Sequence, residues 1–207
     1  MNLKNQELTS RQHRSIQTRK NLLKAAEYIF IDQGFQKTTI TQIIRKADTG
    51  YGTAYVHFKN KDDILVELME DVMQKFHDIA ELPFQPESVE EAEQLIQKQT
   101  GMFLEMAQKA DQILKVVEEA IGASLPVQNK WKQIRERFIK GITNDITYTQ
   151  QKGLARKDVD ANLVARGWFF SNEMYLWEIV RGENQSSVKE IVHNLTAMYV
   201  KGLYIRS

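Results

Sequence analysis

Apolar residues recur at helical spacing along almost the whole of this chain, and only three prolines, Pro83, Pro86 and Pro126, interrupt it. No stretch alternates apolar and polar residues as a half-buried strand requires, so the fold class expected is all-α. Caps and stops divide the pattern into helices. A stripe of Leu22, Leu23, Ala26, Ile29 and Phe30 begins near Thr18 or Arg19 and is stopped at Gly34. A short helix follows from Thr39 to about Asp48, with Ile40, Ile43, Ile44 and Ala47 on one face. Asn60 and Asp63 open a long helix that runs through Ile79 and is ended by Pro83 and Pro86. Ser88 with Glu91 caps a helix to about Ala110, and another spans Asp111 to Gly122. Pro126 sits in the first turn of a helix reaching Lys152, closed by Gly153. Asp160 caps the next, to Val180 and Gly182, and Ser186 or Ser187 the last, to Leu203. The expected division is a basic arm at 1–17, a small helical domain at 18–64 and a larger one at 65–207.

The chain of 207 residues is long enough to bury a real core. It has no cysteine, which removes disulfides, thiolate catalysis and cysteine metal sites. The four histidines, His13, His57, His77 and His193, pair with no Ser, Asp or Glu at the spacing of a triad or a metal site, so neither enzyme activity nor a cofactor is expected. No apolar run approaches the length of a membrane span and the N-terminus lacks a signal-like apolar stretch, which makes the cytoplasm the expected compartment. The net charge of +1 conceals an asymmetry: residues 1–61 hold eleven Lys/Arg against four acids, a net +7, leaving the other 146 residues at −6. One end of the molecule attracts polyanions. Chance clustering of surface lysines would give the same sum.

The stretch GYGTAYVHFKNKDD, Gly50 to Asp63, carries two glycines and three aromatics where a helix should be. Stepping 100° per residue with Ala54 inward places Phe58 on the same face, packed toward Ile40, Ile44 and Ala47. The opposite face is Gly52, Thr53 and Val56, flanked by Tyr51, Tyr55 and His57. Two short helices joined by a tight turn, the second small and uncharged on its outer face and ringed by Lys46, Lys59 and Lys61, suit a helix-turn-helix. Gly52 lets a backbone approach, Val56 can meet a thymine methyl, Thr53 can bond a base edge or a phosphate, and the tyrosines and His57 can reach the sugar-phosphate walls. A small core helix with half-buried tyrosines also fits this pattern.

The segment TRKNLLKAAEYIFIDQGFQKTTITQIIRKADTGYGTAYVHFKNKDDIL resembles the DNA-binding domain of TetR-family transcriptional regulators, in its first stripe ending at Gly34-Phe35, its TTITQII second helix, GTAYVHF as recognition helix and NKDDIL opening the fourth. The turn departs from the usual pattern, with Asp48 in place of Gly and Gly50 in place of Ser. Asp tolerates the left-handed conformation, so the turn survives. Losing Ser removes one phosphate contact and one capping side chain. The resemblance implies phosphate contacts from Thr39, Tyr55, His57 and Lys61 and base-facing roles for Tyr51, Gly52 and Val56. The arm, with Arg11, Arg14, Arg19 and Lys20, would add backbone or minor-groove contacts.

The resemblance also implies that the last two helices pair with a second copy as a four-helix bundle, making a homodimer on a palindromic double-stranded operator. The residues agree: from Leu163 to Ile179 the chain is apolar most of the way round, and Gly167 and Ser171 would admit a close neighbour. Between the two ends, Met102, Phe103, Met106, Trp131, Phe138, Ile142, Trp168, Phe169 and Tyr199 are large and apolar, with Asn172 and Glu173 as polar intruders. That composition suits a small-molecule cleft and equally suits plain core. The segment NEMYLWEIVRGENQSSVKEIVHNLTAMYVKGLY is similar to the C-terminal region of the ethionamide-resistance-type TetR repressors. It implies an elongated apolar ligand in a channel lined by Phe103, Trp131, Phe138, Ile142, Phe169, Asn172 and Tyr199. The expected function is a repressor released from its operator by such a ligand. The alternative is a constitutive DNA-binding protein with a packed C-terminal domain, which a chamber between the middle helices would argue against.

Overall fold

The computed structural model describes residues 9–205, and these form nine helices and no strand. They are α1 (Ser10–Lys37), α2 (Ile40–Lys46), α3 (Tyr51–His57), α4 (Lys61–Ala80), α5 (Val89–Lys109), α6 (Asp111–Ala123), α7 (Leu125–Gln151), α8 (Ala161–Arg181) and α9 (Val188–Leu203). None of the described helices is long and apolar enough to cross a membrane. The caps read from sequence hold: Asn60 Oδ1 accepts from Asp63 N, Ser88 Oγ from Glu91 N and Asp160 Oδ1 from Leu163 N, while Ser187 and Glu190 make a reciprocal box. Each satisfies backbone N–H groups that the first turn leaves without a helical partner.

One expectation about α1 is corrected. The helix begins at Ser10, not near Thr18, because Thr9 and Gln12 form a capping box and the following residues are exposed, which leaves no apolar stripe to mark them. Residues 10–17 of the expected arm are therefore helix, and residues 1–8 lie outside the described residues. Gly34 interrupts the helix where the sequence places a stop, with φ 83° and ψ 171°, a conformation that costs any residue with a Cβ, and a short helical turn continues beyond it to Lys37.

The chain divides into two units, one formed by residues up to Met69 with Val116–Val127, the other by Glu70–Lys115 with Gln128 onward. The division falls inside α4, beyond the expected residue 64, and most of α6 belongs with the N-terminal helices. In the first unit Leu22, Ala26 and Phe30 of α1, Ile43 and Ile44 of α2, Ala54, Phe58, Leu65 of α4 and Val117 and Ala120 of α6 are all buried. Each large apolar side chain so buried contributes about 1.5–3 kcal/mol.

The link from α1 to α2 is held from both sides by charge. Glu119 accepts the backbone N–H groups of Phe35 (2.9 Å) and Gln36 (3.0 Å). Opposite in sign, the Lys61 ammonium donates to the carbonyls of Phe35 (2.6 Å), Gln36 (3.2 Å) and Thr38 (2.9 Å) and lies 4.3 Å from the centre of the Phe35 ring. Gly34 is required twice here, since a Cβ on it would stand 2.7 Å from Glu119 Oε2. The second unit has a comparable buried anchor: Glu173 Oε1 accepts from Trp131 Nε1 (2.7 Å), Arg135 Nε (2.8 Å) and, at 3.4 Å, Trp177 Nε1. A buried carboxylate is tolerated only when paired in this way.

Candidate functional site

In the first unit α2 ends in a tight turn. Asp48 takes the left-handed conformation (φ 48°), its N–H bonds Arg45 O (3.2 Å), and Thr49 N–H reaches back to Ile44 O (3.3 Å). This is a Schellman closure with aspartate in the position glycine usually fills. Gly50 then starts α3 with no side-chain cap. Ala54 and Phe58 turn inward, and Phe58 is covered by the Arg19 guanidinium at 4.5 Å. Facing out are Gly52, Thr53, Val56 (81% exposed), Tyr51 (46%) and Tyr55 (47%), with His57 half-buried. A Cβ on Gly52 would meet nothing within 4 Å, so its bareness serves no internal packing. A valine this exposed, between two half-exposed tyrosines, gains nothing from the fold itself. The exposed cations Arg11, Arg14, Lys20, Arg45, Lys46 and Lys59 belong to the same unit, Lys46 resting 4.1 Å from the Tyr28 ring.

Three expected contact residues are engaged within the fold. Lys61, expected to contact a phosphate, has its ammonium on the three carbonyls of the α1–α2 link. Arg19, read as part of the arm, forms a two-pronged pair with Glu67, with Nε to Oε1 at 3.0 Å, and also donates to His57 O (3.4 Å). Thr39 is exposed but caps α2, and its hydroxyl already donates to Gln42 Oε1 (2.9 Å).

The second unit holds a partly open pocket of about 90 Å³. Its apolar wall is a run of rings: Phe103 stands edge-on to Phe138 (5.8 Å), Phe138 stacks on Phe169 (5.6 Å), and Trp168 stacks on Tyr199 (4.2 Å). Ile142 and Asn172 join them. Trp131 does not: it is buried against Trp177 with its N–H committed to Glu173, so it serves the fold, not the lining. Behind the wall His77 stacks on Phe138 at 4.1 Å, and burial, followed by the Arg137 charge, pulls its imidazole down to about 4. Polar groups that the sequence reading passed over also line the space, among them Gln99, Thr100, Asp145 and Tyr204. Asp145 had a signal, since Phe138, Ile142, Asp145, Ile146 and Thr149 fall on one stripe of α7.

Residues 22–68 match the bacterial regulatory proteins of the tetR family, and residues 96–205, more than half the chain, match the C-terminal domain of the transcriptional regulator EthR. The chain belongs to the TetR family. It is 30% identical over 199 residues to the uncharacterized HTH-type transcriptional regulator YhgD of Bacillus subtilis (strain 168), covering 91% of this chain and 98% of that one. It is 20% identical over 187 residues to the fatty acid metabolism regulator protein of the same strain, covering 88% and 94%. A solved complex of SmeT with triclosan shares the fold, with a TM-score of 0.71, 18% identity, and coverage of 92% of this chain and 93% of that one. This TetR-family chain is thus a DNA-binding transcriptional regulator with a helix-turn-helix in its first unit. Its α8 and α9 also carry exposed apolar residues at Leu163, Phe170, Met174 and Met198, the first three on one stripe with the exposed Gly167.

Proposed function

We propose that the chain is a repressor that binds a two-fold-symmetric operator as a homodimer and releases it when a small, elongated apolar ligand fills the cavity of the second unit. The observation that carries this reading is the ring-lined cavity, because a domain serving only to dimerise gains nothing from keeping space among so many aromatic side chains. Binding of triclosan by SmeT, a protein of the same fold, supports an apolar ligand. The stripe of Leu163, Phe170 and Met174 supports pairing through α8, since apolar side chains left in water on a two-sided helix favour a partner. The outward face of α3 supports major-groove reading, with Val56 against a thymine methyl and Tyr51 and Tyr55 at the groove walls. Continuous helix α4 gives occupancy a route to the DNA: Ile79 and Ala80 line the cavity, and Ile64 and Leu65 are in the core of the first unit.

The test begins with selection of bound duplex from a random pool, followed by fluorescence anisotropy with and without triclosan. The ligand is expected to weaken operator binding by about 1–3 kcal/mol, that is, roughly 5- to 150-fold. Phe138→Ala should change that response and leave ligand-free DNA binding intact, while Val56→Ala should relax preference at one base pair by about 1 kcal/mol. If Phe138→Ala abolishes DNA binding outright, the ring run is packing and not a chamber.

A further inference from the structure

The polar groups of the cavity are unevenly matched. Asn172 Nδ2 donates to Trp168 O (2.8 Å) and Gln99 Nε2 to Leu82 O (3.3 Å), which leaves Asn172 Oδ1 and Gln99 Oε1 without a donor among the described residues. Asp145 lines the same space, and no hydrogen bond or ion pair reaches its carboxylate among the described residues. It is also the only charged side chain on the described lining, where no Lys, Arg or His appears. Elsewhere in this unit a buried carboxylate, Glu173, is met by three donors. The cavity therefore offers acceptors, and negative charge wherever Asp145 is ionised, to whatever enters it.

We infer that the ligand of this cavity is an apolar molecule with a protonated amine at one end, and that Asp145 is the residue that holds the ammonium group. This rests on the reading of the cavity as a ligand site and adds its chemical class. An ammonium supplies the donors the lining lacks and neutralises its one charge, whereas a carboxylate-headed chain would meet like charge in a poorly solvated space. Burial pushes the Asp145 carboxyl up to about 7, so a fixed cation must displace a proton from part of the population near neutral pH. The other titratable groups on the lining are Tyr199 of α9 and Tyr204 beyond it. Burial raises Tyr199 well above its usual range and Tyr204 to about 12, so both stay neutral throughout. The residues contributed by α4, α5 and α8 do not titrate. Ammonium affinity should then rise roughly tenfold from pH 6 to pH 8 as Asp145 ionises.

The experiment compares decylammonium, decanol and decanoate by calorimetry on the whole chain at pH 6 and 8, for wild type and Asp145→Asn. At pH 8 decylammonium should bind about tenfold tighter than decanol, and decanoate weakest. Asp145→Asn should erase both the ammonium advantage and its pH dependence and leave decanol unchanged. The wild-type pH profile stands by itself should the variant fold poorly. Decanol binding with no preference for decylammonium, or tighter binding of decanoate, overturns the assignment of Asp145 and leaves the cavity as a ligand site. Failure of all three probes to bind removes both.

Discussion

Around the α1–α2 link of the first unit, charged side chains end on backbone: Glu119 on two N–H groups, Lys61 on three carbonyls and Arg19 on His57 O as well as Glu67. In the second unit the cavity keeps Asp145, Asn172 Oδ1 and Gln99 Oε1 without donors among the described residues, and among these Thr196 Oγ1 is buried with no hydrogen-bond partner. A surface that must meet a fixed groove gains from charges that immobilise its supports. A domain that accepts a guest, as proposed for the second unit, keeps polar groups in reserve, at a cost in stability of about 1–3 kcal/mol for each buried group left unpaired.

The largest expected effect tests the first half of that contrast. Lys61→Met should destabilise the first unit by about 3 kcal/mol, seen as faster hydrogen exchange at the amides of Phe35 and Gln36, because it strips three carbonyls of a charged donor. The salt dependence of operator binding should keep its slope. A slope reduced by about one contact with unchanged exchange would return Lys61 to the phosphate-binding role its place in the sequence first implied. Next, Gly34→Ala should cost about 2 kcal/mol from the left-handed backbone and the encroachment on Glu119, read by the same exchange measurement. An effect below a few tenths would mean that the clamp yields easily. Smallest, and opposite in sign, Thr196→Val should stabilise the second unit by about 1 kcal/mol in urea unfolding followed by tryptophan fluorescence. Trp131, Trp168 and Trp177 all lie in that unit, so the signal reports on it alone. Loss of stability would show that the hydroxyl is satisfied after all.

Local signals made much of this legible. The outward face of α3 follows from stepping 100° per residue from Ala54, and the left-handed turn at Asp48 from the resemblance, which places it where the family carries glycine, together with the tolerance of aspartate for that conformation. The ring run of Phe103, Phe138 and Phe169 follows from spacing on three helices. What escaped depends on partners distant in sequence. Nothing in the residues around Lys61 announces that the carbonyls of Phe35, Gln36 and Thr38 lie within its reach, since backbone acceptors carry no residue identity. Trp131 looks like its aromatic neighbours until Glu173, 42 residues on, takes its N–H. The start of α1 escaped because an exposed helix end has no apolar stripe, although the Thr9–Gln12 box was there to be read.

The clamp on the α1–α2 link also bears on how the chain acquires its shape during synthesis. Glu119 lies 84 residues beyond Phe35, and Val117 and Ala120 close the same core. At about 5–20 residues per second, a ribosome makes the whole α2–α3 surface several seconds before the segment that braces it. A fragment ending at Met69 would display the tyrosines and Val56 of α3 but lack one wall of the core and the carboxylate that fixes the bend at Gly34. The nascent N-terminal part should therefore wait, loosely folded, until α6 emerges, so that firm attachment to DNA is reserved for chains that have already begun to build the second unit.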